Sequence, residues 1–113
     1  MIIYTSRVGY QGADALDITA KSASPDGKVF APPWSLLRRY LPKFSGRPLT
    51  AENFAEYERE YLSVLAARRV EWSYYLRQPS ITLLCYCPTP SMCHRGTVAR
   101  EFQQRGAHYG GER

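Results

Sequence analysis

The chain has 113 residues, 44% of them hydrophobic, and nine tyrosines: enough for one cored domain, too few for two, and not the make-up of a disordered chain. No apolar run approaches the roughly 20 residues a membrane span needs, and the opening Met1-Ile-Ile-Tyr-Thr reads as a first strand rather than a basic-then-apolar leader. The net charge of +5 is spread along the chain rather than gathered in runs, so it fits a phosphate-bearing partner without establishing nucleic-acid binding.

Residues 2–5 are β-branched and aromatic and predict a short strand. Residues 6–12 form a glycine-punctuated loop carrying Arg7 and Tyr10. Residues 14–19 alternate enough for a second short strand, or else are irregular, and 21–28, with Ser-Pro-Asp-Gly, reads as a surface turn. Residues 32–41 predict a helix with prolines tolerated in its first turn and Pro42 closing it. Residues 43–49 connect it to the longest helix, for which Thr50 is the N-cap and Glu52 suits the dipole. Phe54, Tyr57, Tyr61, Leu65, Arg68 and Trp72 recur at three- and four-residue steps. Such a row could stack bases, but at this spacing it is read as core. The helix breaks near 66–69 or runs on towards Gln78, where Pro79 must end it.

Residues 80–87 give the strongest strand, apolar on both faces like a central strand of a parallel sheet. A last helix is expected from Cys93 or His94 to Arg105, with Gly106 as its stop, and residues 107–111 add a final short strand. Strands separated by helical crossovers predict a small Rossmann-like three-layer α/β domain over residues 1–113, its short, mostly parallel sheet flanked by helices.

All three cysteines and one of two histidines fall within Cys85-Tyr-Cys-Pro-Thr-Pro-Ser-Met-Cys-His94, followed by Arg95. A strand thus delivers these groups into a Pro-rich loop that opens a helix, a junction where α/β proteins gather functional side chains. Three thiols cannot all pair, and two are one residue apart, which favours reduced cysteines and a cytoplasmic setting. Three readings follow. In one, Cys93 is a thiolate favoured by the helix dipole and Arg95, with His94 as acid or base. The familiar phosphatase loop does not fit, since Arg95 lies eight residues after Cys87 rather than six. In another, Cys85, Cys87, Cys93 and His94 hold zinc, against which stand the unusual C-x-C-x5-C-H spacing and the adjacency of two ligands. In the third, Cys85 and Cys87 are small core hydrophobes, and Cys93 and His94 cap and pack.

With Tyr4-Thr-Ser-Arg-Val8, the helix bearing Phe54-x-x-Tyr57-x-x-x-Tyr61-Leu62-x-x-Leu65, the strand Ile81-Thr-Leu-Leu84 and Cys87-x5-Cys93-His94-Arg95, the chain resembles the domain of unknown function 488 family, which includes the YeaO-like proteins. The resemblance implies a small cytoplasmic Rossmann-like domain of bacterial or phage setting, with no settled activity. It maps the family's Cys-His-Arg segment onto Cys93, His94 and Arg95 and its early arginine onto Arg7.

The expected site is a pocket at the carboxyl edge of the sheet for a small anionic, nucleotide-like ligand. Thr5, Ser6, Arg7 and Tyr10 come from the first strand and its loop, Cys87, Cys93, His94 and Arg95 from the loop after the central strand. Arg7 and Arg95 would bind charge, and Cys93 with His94 would be catalytic if there is a reaction. No metal or other cofactor and no membrane is called for. The alternatives are a non-catalytic ligand-sequestering protein, with Trp34, Tyr10 or Tyr109 stacking on a base, a nucleic-acid accessory protein, or a zinc-stabilised binding module.

Overall fold

The computed structural model describes residues 1–87 and 92–113; most of the expected Pro-rich loop, residues 88–91, lies outside the described residues. Four strands, β1 (Ile2–Arg7), β2 (Ala15–Asp17), β3 (Ser80–Cys85) and β4 (His108–Glu112), form one sheet in the order β2-β3-β1-β4. Every pairing is parallel, with Ile3 opposite Ile81, Thr5 opposite Leu83 and Arg7 opposite Cys85. The helices are α1 (Trp34–Tyr40), α2 (Pro42–Ser45), α3 (Ala51–Ala67), α4 (Trp72–Leu76) and α5 (His94–Gln104). The expected small α/β class is the one observed.

β3 is buried from Ile81 through Cys85, as its two apolar faces require of a central strand. α3 starts where its N-cap says it should: the Thr50 hydroxyl accepts from the Asn53 N–H. Phe54, Tyr57, Tyr61 and Leu65 are all buried, and the aromatic row is core. The helix stops because Arg69 turns left-handed, at φ 54°, and the chain restarts as α4 at Trp72.

Two stretches hold more structure than their composition showed. Pro42 both ends α1 and opens α2, where a proline N1 has no N–H to lose, and Gly46 at φ 72° closes that short helix. Residues 28–30 form a 3₁₀ turn that buries Phe30 completely. Long-range bonds pin this turn: Tyr61 Oη donates to the Phe30 carbonyl, and the Arg68 guanidinium donates to Val29 O at 2.8 Å and Ala31 O at 2.6 Å.

At the end of α5 the Gly106 N–H bonds Gln103 O and the Ala107 N–H bonds Phe102 O, the paired bonds of a Schellman cap, with Gly106 at φ +105°. The cap turns the chain into β4. A β-carbon on Gly110 would lie 2.2 Å from the Tyr4 ring, so glycine is what lets β4 approach β1 there. That approach carries Glu112 to the start of α5.

Candidate functional site

β3 ends at Cys85 and α5 begins at His94, with Cys93 as its extended N-cap. The junction folds back so that the sulfurs of Cys85 and Cys93 and a ring nitrogen of His94 all lie within 4.8 Å of one another. The Cys87 thiol is within hydrogen-bonding reach of both other thiols. Arg95, in the first turn of α5, runs beneath this group with a side chain that is 0% exposed. It donates to Cys85 Sγ at 3.0 Å, to the Cys87 carbonyl at 2.7 Å and, more loosely, to Cys93 Sγ at 3.6 Å. Its other edge meets Glu112 in a two-pronged pair, Nε to Oε1 at 3.2 Å and Nη2 to Oε2 at 2.6 Å.

Hydrogen bonds couple the three thiols to one another. Hydrogen bonds from Cys87 and Cys93, with Arg95 behind them, hold Cys85 well below the usual thiol range despite its burial. The same bonds push Cys87 up to about 11 and Cys93 further up. The helix dipole favours a thiolate at Cys93, whereas the bonds among the three thiols favour one at Cys85. Burial lowers the His94 pKa and keeps the ring neutral. Its Nε2 donates to the Ile18 carbonyl at 3.1 Å, leaving Nδ1 as the nitrogen with a lone pair.

Beside the cluster opens a cavity of about 370 Å³, within the range of ligand pockets. Its floor includes Cys87, Cys93 and His94, its back Phe54 and Tyr57 of α3, and its walls Leu37 and Tyr40 of α1. Trp34, Phe44, Leu49, Tyr86 and Met92 line it while exposing 38 to 49% of their surface, so most of the large exposed apolar side chains ring one opening. Lys21 and Lys43 also line it, with Lys43 Nζ 5.7 Å above the Phe44 ring.

The expected residues divide into two groups. Cys87, Cys93 and His94 share the cavity, whereas Thr5, Ser6, Arg7, Tyr10 and Arg95 are not among the described residues that line it. The sheet does bring Arg7 beside Cys85 in register, and Arg7 is exposed there. Thr5 instead bonds the Tyr109 hydroxyl at 2.6 Å, and Ser6 donates to the Arg113 carbonyl. Tyr10 donates to Asp14 at 2.8 Å and accepts from Arg113, whose guanidinium lies 3.7 Å from the Tyr4 ring centroid. Arg95, expected to hold a ligand's charge, holds Glu112 and the sulfurs. Sequence reasoning missed Lys21, Lys43 and Phe44, which sat in stretches read as turn and connector, and Glu112, which lies beyond the last predicted strand.

A family model described as the active DUF488-N3 subclade, DUF488-N3a, matches residues 19–106. The chain belongs to the DUF488 family. The matched span runs from Thr19 through α5 and so takes in every described residue of the cavity and all three cysteines of this DUF488 chain. It leaves out β1, the Tyr10 loop and Glu112. No curated protein and no solved structure matches the chain. Among the described residues no helix is long and apolar enough to cross a membrane.

Proposed function

We propose that this DUF488 chain binds a small aromatic anion of nucleotide type in the cavity beside Cys93 and His94. One observation carries the reading: a cavity of ligand size joins exposed aromatic edges, Trp34 and Phe44, to two lysine ammoniums and a polar thiol–imidazole floor. A planar base suits the aromatic wall, since stacking tolerates any π-face. A phosphate suits Lys21 and Lys43, which meet it as flexible point charges. Cys93 is 2% exposed, which favours a binding role over attack on a substrate by its thiol.

A nucleic-acid duplex or single strand asks for a continuous basic face. Among the described residues six arginines are instead paired with carboxylates: Arg39, Arg47, Arg95, Arg100, Arg105 and Arg113. That pairing favours the small ligand.

The test is a fluorescence titration of the reduced chain, reading Trp34 against a Trp34→Phe background, with nucleoside monophosphates, the matching nucleosides and inorganic phosphate. Saturable quenching is expected from at least one monophosphate, weaker from its nucleoside. Replacing Trp34 by alanine, with binding then read by thermal stabilisation, should weaken it about 5- to 150-fold, the equivalent of losing one stacked base at ~1–3 kcal/mol. Absence of saturable quenching or thermal stabilisation by any monophosphate at millimolar concentration rejects the reading.

A further inference from the structure

We infer that Cys85, Cys93 and His94, completed by Cys87, form a tetrahedral site for a soft divalent cation of the zinc type. The geometry is close to what such an ion demands. Bonds of about 2.3 Å to sulfur and 2.0–2.1 Å to nitrogen set tetrahedral donors roughly 3.3–3.8 Å apart. Three of the donor atoms, on Cys85, Cys93 and His94, already lie within 4.8 Å of one another, so a contraction of about 1 Å brings them to bonding positions, and Cys87, outside that group but in hydrogen-bonding reach of both other thiols, swings in as the fourth. The adjacency of Cys93 and His94 is no obstacle, because Cys93 is extended at φ −138°, ψ 145° and His94 begins the helix. The turn between those conformations brings both side chains to one point.

The surroundings are those of a metal ligand set. His94 donates its Nε2–H to the Ile18 carbonyl, which fixes the tautomer and frees Nδ1; metal-bound histidines are commonly held this way. Arg95 donates N–H to two of the sulfurs. Three thiolates and one imidazole around a dication carry a net charge of −1, and a guanidinium fixed against the sulfurs offsets it. Cys87 is half-buried on the cavity side, while Cys85 and Cys93 are buried. Cys87 is thus the donor nearest to entering metal. The inference does not depend on what occupies the cavity.

The test is titration of the reduced, chelator-washed full chain with Co²⁺ alone, followed by Zn²⁺. The expected result is a thiolate-to-cobalt charge-transfer band with the visible bands of tetrahedral Co²⁺, saturating at one equivalent and abolished by one equivalent of Zn²⁺. Zinc should also raise the melting temperature, and a chelator should reverse the rise. Cys93→Ser and His94→Ala should lower the affinity at least tenfold, while His108→Ala, an exposed histidine outside the cluster, leaves it unchanged. Because the unaltered chain is read first, misfolding of a variant does not decide the matter. No charge-transfer band, binding without saturation, or unchanged binding in Cys93→Ser would each overturn the site.

Discussion

Removing the carboxylate from Glu112 tests whether β4 holds the thiol cluster together through Arg95. Arg95 is fully buried and bonds both Glu112 oxygens, whereas Glu112 is 31% exposed. Breaking a buried pair on one side costs about 3–5 kcal/mol, because the remaining charge is left without compensation. Water reaching the Glu112 side, and the single acceptor oxygen that glutamine keeps, reduce this to about 2–3 kcal/mol for Glu112→Gln. Against a total stability of about 5–15 kcal/mol that is a large loss. In urea unfolding it should move the midpoint down by about 1–2 M at unchanged m. The freed guanidinium also loosens against the sulfurs, so thiol labelling of the folded variant should be faster. A midpoint within error of the unaltered chain, with labelling unchanged, refutes the claim that β4 anchors the site.

Four further outcomes are expected. Tyr61→Phe removes the donor to the buried Phe30 carbonyl and should cost about 1–2 kcal/mol in denaturant unfolding. Gly106→Ala has open space for its β-carbon but sits at φ +105°, so it should cost about 1–2 kcal/mol from backbone strain alone and melt lower. Thr50→Ala should lose about 1 kcal/mol of α3 stability, partly recovered in Thr50→Asp, by the same unfolding assay. Asp14 gives a pH signature. Burial raises its pKa, but hydrogen bonds from Ser80, Tyr10 and Thr82, with the charge of Arg113, outweigh that and hold it below 3.8. A depressed carboxyl stabilises the fold above its unfolded value and loses that contribution as pH falls through the folded value. Melting temperature should therefore drop less steeply below about pH 4 in Asp14→Asn.

The fold was legible where periodicity and local chemistry agree. β3 reads as a doubly buried strand because apolar residues fill both its faces, and α3 reads from its Thr50 cap and its aromatic row. Gly106 announced the end of α5 for a local reason, its left-handed backbone. What was not legible depends on partners far along the chain. Arg95 in the first turn of a helix looks like an anion anchor until Glu112, on a strand rich in glycine, is seen to reach it. Nothing local distinguishes a ligand-binding arginine from one that is neutralised internally. Likewise Thr5 and Ser6, at the end of β1, and Tyr10, in the loop after it, look available to a ligand, yet bonds to Tyr109, Arg113 and Asp14 engage them. The cavity wall was hidden for the opposite reason: Lys21, Lys43 and Phe44 lie in turn-like stretches, and only the tertiary fold, which sets α2 and the turn after β2 around one cavity, brings them together with Cys93. The cysteine cluster was legible as a location, while the contacts among its thiols depend on the fold-back of the β3–α5 junction.

The central claim is that the cavity at Cys93, not the β1–β4 side of the sheet, is where a ligand sits. Amide NMR spectra of the reduced chain, recorded with and without a nucleoside monophosphate, test it most directly. The account predicts shifts clustered on Lys21, Trp34, Phe44, Tyr57 and Cys93. Shifts gathered instead on Arg7, Tyr10 and Arg113, or no shifts at all, would contradict it.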